Sequence, residues 1–165
     1  YFMKVDHSLP IYNFFVDLFC SDFDDSTSID SYEAGICLFR LIFERSLTKE
    51  EIDNFLGTYL LKPRQHNDFI FAPIILLLID RYQDFYQTSA LFSILAKIGP
   101  IKVLHNSLCP FVTKCWAHIM VLAQQAQIEP AAVDRLLEII ERLKCEIGYE
   151  EYSIQTQILL EKKNE

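Results

Sequence analysis

The sequence predicts an all-α fold, and three observations carry that prediction. Helix start signals, meaning Ser or Thr at an N-cap position or Pro in a first turn, recur along the whole chain. Apolar residues fall at helical spacing from Val133 to Leu143, with charged residues between them. No long alternating segment is bounded by the Asn-Gly or Asp-Gly turns of a β-hairpin. We therefore expect about eight helices and no sheet.

The first four predicted helices each have their own start signal. Ser8 is followed by a proline in the first turn. Asp30 and Thr48 each precede a glutamate by three residues, which is the spacing of a capping box. Ala72 precedes Pro73. Proline suits the first helical position, because the N–H that it lacks would have no intrahelical partner there. These signals predict helices that start at Ser8, Asp30, Thr48 and Ala72.

The last four predicted helices follow the same chemistry. Thr88 is an N-cap type residue, and Ser107 has a proline in the turn that follows it. Glu129 is followed by a proline at the first helical position. Tyr149 comes directly after Gly148, a residue typical of a helix end. The signals predict helices that start at Thr88, Ser107, Glu129 and Tyr149.

The longest apolar run has no charge in its eleven residues, 69–79, which read Phe-Ile-Phe-Ala-Pro-Ile-Ile-Leu-Leu-Leu-Ile. A helix made from its second part has no polar face, so other elements must surround it. Pro73 interrupts the run, and no stretch reaches the roughly 18 to 20 apolar residues that span a bilayer. We expect a soluble, layered helical protein that contacts no membrane.

The predicted helix starts have a regular spacing. Starts at residues 8, 48, 88 and 129 are 40, 40 and 41 residues apart, and those at 30, 72, 107 and 149 are 42, 35 and 42 apart. This spacing resembles that of HEAT and armadillo-type repeats, which run roughly 40 to 47 residues. The resemblance extends over the chain but lies in element spacing alone. It implies helical hairpins stacked in an α-solenoid, and an irregular single-core helical bundle is the alternative.

The length of the chain and its cysteine content indicate its domain organisation and its cellular compartment. Its 165 residues suit a single α-helical domain, 1–165. It begins at Tyr1 without a signal-peptide pattern, so we expect a fragment of a larger protein. Five cysteines without paired spacing fit reduced thiols in the nucleus or cytoplasm. The sequence therefore predicts an intracellular protein.

The charge of the chain disfavours nucleic acid as a partner. The net charge is -8, and phosphate binding needs many Lys and Arg contacts. Residues 61–128 are an exception, with six bases against three acids. Loops of this segment could stack their bases on one edge of a solenoid, and an RNA-contacting helical repeat is therefore an alternative function. The residues of this basic edge are Lys62, Arg64, Lys97 and Lys102.

Residues 22–33 have the oxygen spacing of an EF-hand loop, a pattern that suits calcium because this ion takes six to eight hard oxygen ligands. The candidate ligands are Asp22, Asp24, Ser26, Ser28, Asp30 and Glu33. Thr27 stands where the loop needs glycine, and no second loop follows. The favoured interpretation is an acidic linker, with Asp30 capping the next helix. A calcium-binding regulatory domain is an alternative, and phosphorylation of Ser21 or Thr27 is a further one.

The sequence carries no pattern specific for an enzyme or a cofactor. His105, Cys109, Cys115 and His118 are soft ligands, but they lack the spacing of a zinc site, and cysteine is commonly buried in cores. There is no Gly-x-Ser-x-Gly elbow or phosphate-binding glycine loop, and the chain has only four glycines. We therefore expect no catalysis, no bound metal and no cofactor.

Aromatic residues of the first predicted helix provide a candidate partner-binding surface. Phe14 and Phe15 are adjacent and point to directions about 100° apart, so one of them can face a partner. The candidate residues are Tyr12, Phe14, Phe15 and Phe19. The sequence thus predicts a non-catalytic protein–protein interaction or scaffold domain within a larger complex. It would dock a partner helix or peptide, or adjacent repeats of the same chain.

Overall fold

The computed structural model describes residues 29–61, 68–101 and 104–165, which form seven helices and no strand. The all-α class predicted from the sequence is confirmed for these ranges. The predicted helix that starts at Ser8 lies outside them. The helices are α1 (Ile29–Glu44), α2 (Lys49–Leu61), α3 (Asp68–Arg81), α4 (Thr88–Lys97), α5 (Cys109–Gln125), α6 (Pro130–Ile147) and α7 (Tyr149–Lys163).

The chain divides into two compact units, residues 1–70 and 71–165. In the first unit, α1 begins one residue before the predicted start at Asp30. A capping box begins α2: the Thr48 N–H donates to Glu51 Oε1 at 2.8 Å, and the Glu51 N–H donates to Thr48 Oγ1 at 3.1 Å. The spacing of the two side chains predicts this start, because the box satisfies two backbone donors that a helix start leaves unpaired.

The start predicted for α3 at Ala72 is wrong. The helix begins at Asp68 and contains Pro73 as its sixth residue. Proline at that position lacks the N–H that would bond the carbonyl of Phe69, so the helix gives up one hydrogen bond there. The added first turn places Phe71 and Ala72 in the core, where both are fully buried. Burial of these side chains offsets the missing bond.

The apolar run is buried along its length. Every residue from 71 to 79 is buried, as expected for a helix without a polar face. Polar character returns at Asp80, which is half-buried, and at Arg81, which is exposed. The end of α3 is therefore the part of this helix at which polar chemistry becomes possible.

The starts of α4 to α7 follow the predicted signals with one clear exception. Thr88 is the first residue of α4, Glu129 is the N-cap of α6, and α7 begins at Tyr149. The start predicted at Ser107 is wrong, because α5 begins at Cys109. Residues 106–108 form a turn instead, in which the Ser107 N–H donates to the His105 ring at 3.1 Å and buried Leu108 takes the N-cap position.

Alternate helices of the second unit contact one another at a nearly constant sequence separation. Between α4 or the residues that follow it and α6 or its N-cap, hydrogen bonds join residues 36 or 37 positions apart, as in the bond from the Ser93 hydroxyl to Glu129. Between α3 and α5, Asp80 meets His118 at 38 positions. Between α5 and α7, the contacts span 38 and 39 positions. Helix α6 packs against α4, α5 and α7.

The observed helix starts are spaced more evenly than the predicted ones. Helices that begin at residues 29, 68, 109 and 149 are 39, 41 and 40 residues apart, and those that begin at 49, 88 and 130 are 39 and 42 apart. The largest irregularity of the predicted series comes from the two starts that the structure corrects. A spacing near forty residues thus runs through the described helices.

Candidate functional site

Helix α7 makes polar contacts with both of its neighbours, α5 and α6. Leu159 is its one buried side chain. Toward α5, the Trp116 indole N–H donates to the Gln155 amide oxygen, and Lys162 Nζ donates to the backbone carbonyl of Gln124 at 3.3 Å. These two contacts span 39 and 38 positions, so α5 and α7 run in the same direction and a residue of α5 is about level with the residue of α7 38 positions later. The close backbone contact of α7 is with α6.

Large apolar side chains are exposed on α5 and α7. Val121 is 47% exposed and Ile154 is 50% exposed. Ile154 and the half-buried Ile158 are one turn apart and adjoin the side of α7 that reaches α5. Val121 lies on the exposed side of α5, level with the turn of α7 that contains Ile158. We define Val121, Ile154 and Ile158 as the α5/α7 face.

Two more apolar side chains of α7 are exposed on its opposite flank. Tyr149 is 69% exposed and Leu160 is 42% exposed. By helical geometry both lie on the side of α7 nearer to α6, while Ile154 lies nearer to α5. Water therefore contacts apolar groups on both flanks of one helix. This is unusual for a surface helix with a single covered stripe.

The ridge between the two flanks of α7 is acidic. Glu150 and Glu161 are exposed there, together with Gln157, whose amide donates to Glu161 at 3.3 Å. The two lysines of the helix are turned to other partners: Lys162 is only 13% exposed, and Lys163 pairs with an aspartate of α6 at 2.7 Å. The outward surface of α7 is therefore apolar on its flanks and negative along its ridge.

A polar cluster joins the end of α3 to the middle of α5. Asp80 Oδ1 lies 2.8 Å from His118 Nδ1, and the buried Cys115 thiol lies near the same carboxylate. Since an ionised carboxylate only accepts hydrogen bonds, the ring N–H of His118 is the donor. Burial, and then the Asp80 charge and hydrogen bond, raise the pKa of Cys115 to about 12. The thiol stays protonated at neutral pH, so this cluster has no activated nucleophile.

We predict that Cys115 resists alkylation in the folded protein. With a pKa of about 12, its thiolate fraction at pH 8 is on the order of 10⁻⁴. Cys37 and Cys145 are exposed, whereas Cys109 is buried, and burial raises its pKa also. Iodoacetamide labelling followed by peptide mass spectrometry should modify the two exposed cysteines at least about tenfold faster than the two buried ones. Rapid labelling of Cys115 before unfolding would contradict the observed geometry.

A second polar cluster ties α6 to α7. Glu141 accepts hydrogen bonds from Lys144 Nζ and from the Tyr152 hydroxyl, both at 2.6 Å. The bond from Lys144, followed by that from Tyr152, lowers the pKa of Glu141. The bond to Glu141 raises the pKa of Tyr152. These shifts indicate that the cluster stabilises the packing of α7 at neutral pH.

We predict that this cluster makes the stability of the domain sensitive to acid. Because the folded-state pKa of Glu141 is depressed, its contribution is fully present above the ordinary value of 4.5 and is lost as the pH falls through the folded value. The group is largely exposed, so the loss is no more than about 1 kcal/mol. Urea unfolding at several pH values should show less acid sensitivity in Glu141→Gln than in the unaltered chain, and Tyr152→Phe should lie between. Equal pH dependence in all three would rule out this role.

A groove of 390 Å³ lies where the start of α6 meets the end of α7. Its walls include Glu129, Pro130, Lys162 and Lys163. Both lysines already bind other groups: Lys162 donates to a carbonyl of α5, and Lys163 pairs with Asp134. Since both of these wall cations are engaged, the groove offers little to hold an anion.

Most residues of the predicted sites lie outside the described part of the chain. This holds for calcium-loop residues 22 to 28, for the aromatic candidates of the first helix and for Lys62, Arg64 and Lys102 of the basic edge. Asp30 and Glu33 lie on the first turns of α1. Lys97 is exposed at the end of α4. The calcium, RNA and aromatic-surface hypotheses therefore stay predictions.

The residues considered as zinc ligands have separate structural roles. The His105 ring accepts from the Ser107 N–H, Cys109 lies in the core, and His118 binds Asp80. Within 29–61, 68–101 and 104–165, no group of three or more Cys, His, Asp or Glu side chains could hold a metal ion. The favoured interpretation of Cys109 and Cys115 as core residues is confirmed by their burial.

Sequence reasoning missed the two features that involve α5. The contact between Asp80 and His118 joins residues 38 positions apart, and no local sequence pattern predicts it. The exposure of Ile154 depends on which side of α7 its neighbours cover. One sequence signal for this exposure is the pattern of α7 itself, because its apolar residues occur on several sides of the helix rather than in one stripe.

No helix of the described part is long and apolar enough to cross a membrane. The chain matches no protein-family model, no curated protein and no solved structure.

Proposed function

We propose that this chain is a non-catalytic helical-repeat domain that mediates protein–protein interaction. The observation that carries the proposal is α7, a helix with one buried side chain and exposed apolar residues on both flanks. A helix at the free surface of a soluble domain normally carries one apolar stripe, turned inward. Contact of large apolar side chains with water is unfavourable, and this helix exposes three of them, Tyr149, Ile154 and Leu160. A bound protein segment would cover them.

The repeat character is supported by two independent features. Helix starts recur about every forty residues along the described chain. In residues 71–165, alternate helices meet at separations of 36 to 39 positions, which is what stacked two-helix units produce. In the proposed arrangement, α3, α5 and α7 form one layer, and α4 and α6 form the other. We propose a short α-solenoid in this unit, of the HEAT or armadillo type.

The absence of catalysis and an intracellular setting are parts of the same proposal. Cys115 lies beside Asp80 and near His118 in sequence, but its raised pKa keeps the thiol protonated. None of the four described cysteines forms a disulfide, and two of them are exposed. Exposed free thiols suit the reducing nucleus or cytoplasm. We propose that the domain acts there as a scaffold within a protein complex.

Affinity capture from native cells tests the proposed function. The tagged protein should recover one or more proteins in stoichiometric amount, and Ile154→Glu combined with Leu160→Glu should release them. Gln87→Glu, a change at an exposed residue before α4, serves as the control. Circular dichroism establishes that each variant keeps its helices. The proposal fails if no protein is recovered, or if the double variant recovers the same proteins as the control.

A further inference from the structure

We infer that the α5/α7 face binds a basic amphipathic helix, with an apolar stripe on Ile154 and Val121 and with Lys or Arg residues beside the acidic ridge of α7. This inference rests on the proposed interaction function and specifies the site and the chemistry of the partner.

The geometry favours a helical partner. Two helices that run in the same direction and are joined by side-chain hydrogen bonds leave a channel between their outward sides, and a third helix can lie along it. Ile154 and Ile158 are one turn apart on one bank, and Val121 stands on the other. A partner helix with apolar residues at positions i, i+3 or i+4, and i+7 can reach all three.

The charge selects a basic partner. Glu150 and Glu161 stand exposed on the ridge beside the apolar residues, and Glu151 is exposed in the first turn. The two lysines of the same helix contribute little positive charge to this face, because Lys162 donates to a backbone carbonyl of α5 and Lys163 forms an ion pair with an aspartate of α6. The chain as a whole has a net charge of -8. Exposed Lys114 lies two turns before Val121 on the same side of α5, but the three glutamates outnumber it. A helix with Lys or Arg flanking its apolar stripe is therefore attracted to the α7 side of this face, and an acidic one is repelled.

A second copy of this chain fits the face poorly. Two copies would bring two acidic ridges together, and like charges across an interface are unfavourable. The apolar contribution is also small, since Val121 and Ile154 are only half exposed and Ile158 less so. A partner of opposite charge gains both from burial of these side chains and from the carboxylates around them.

Selection from a peptide library tests the inference directly, because it lets the face choose its own ligand. The immobilised 165-residue chain is used to select from displayed random peptides long enough to form several helical turns. Selected peptides should carry Lys or Arg and apolar residues at helical spacing. Their dissociation constants are then measured by fluorescence anisotropy. Increasing the NaCl concentration from about 0.05 M to about 0.5 M should weaken binding, since salt screens exposed charges.

The variants locate the binding site. Ile154→Glu should weaken peptide binding at least about tenfold, a loss typical of an anchor residue of an interface. Glu150→Lys with Glu161→Lys should do the same while leaving the apolar residues intact. Gln87→Glu adds the charge of the first variant at a distant exposed residue and should change nothing. Ile154→Ser is measured beside it in case the glutamate lowers helix content.

Each contrary outcome is distinct. Selected peptides that are acidic or without an apolar stripe overturn the inference, as does binding that Ile154→Glu and Ile154→Ser leave unchanged. In both cases the proposed interaction function survives with another site or another partner. A concentration-dependent dimer that Ile154→Glu dissolves shows that a second copy covers the face, and it also overturns the inference. A library that yields no binder also overturns the inference. The proposed interaction function is then tested separately by affinity capture.

Discussion

Replacement of Trp116 by alanine is expected to destabilise the domain by about 3 to 5 kcal/mol, the range observed for loss of a large buried aromatic side chain. Trp116 is 1% exposed and is the largest fully buried side chain of the described residues. Its ring fills the space where α5 faces its neighbours, and its indole N–H donates to Gln155 of α7. The variant loses the apolar contacts, leaves a cavity and removes the hydrogen bond that ties α7 to α5.

Urea unfolding followed by circular dichroism measures this loss. Small domains have a total stability of about 5 to 15 kcal/mol, so the variant should unfold at a markedly lower urea concentration. Val121→Ala in the same helix is the matched control, because Val121 is 47% exposed and should change stability by no more than about 0.5 kcal/mol. A Trp116→Ala variant as stable as this control would show that the ring is not part of the core.

Introduction of a charge into α3 is expected to have the largest effect of any single substitution. Leu77 is 1% exposed and lies within the run of buried residues 71–79. An aspartate there is surrounded by buried apolar side chains on every side except toward Asp80 and Arg81 one turn later, and a buried charge costs several kcal/mol even after relaxation. We expect Leu77→Asp to unfold residues 71–165 or leave them with fluctuating packing.

A conservative change at the same position separates charge from shape. Leu77→Met keeps nearly the same volume and should cost less than about 1.5 kcal/mol. Two-dimensional NMR spectra of the two variants should differ sharply, with dispersed signals for Met and collapsed signals for Asp. Dispersed, native-like spectra for Leu77→Asp would mean that α3 is not enclosed as the structure has it.

Local chemistry made several helix boundaries predictable. The Thr48 and Glu51 box, Pro130 at a first helical position and Gly148 between two helices each satisfy or remove backbone groups within a few residues. Gly148 adopts a positive φ of 90°, which residues with a side chain rarely adopt. Signals of this kind act without help from the rest of the fold, so the sequence alone reveals them.

Boundaries set by burial were not predictable in the same way. Helix α3 starts before Pro73 because the extra turn buries Phe71, and α5 starts after Ser107 because Leu108 is buried at its N-cap. In both cases tertiary packing outweighed a valid local signal. The α5/α7 face has the same origin, because exposure of Ile154 is decided by where α5 and α6 leave α7 uncovered.

The central claim, that a protein partner docks on the α5/α7 face, is tested most directly by photo-crosslinking. A photoreactive amino acid is placed at residue 154, and in a parallel sample at residue 87, which is exposed before α4. On irradiation in native cells, the account predicts a crosslinked product of higher mass from position 154 and none from position 87. Equal crosslinking from both positions, or none from position 154, would contradict it.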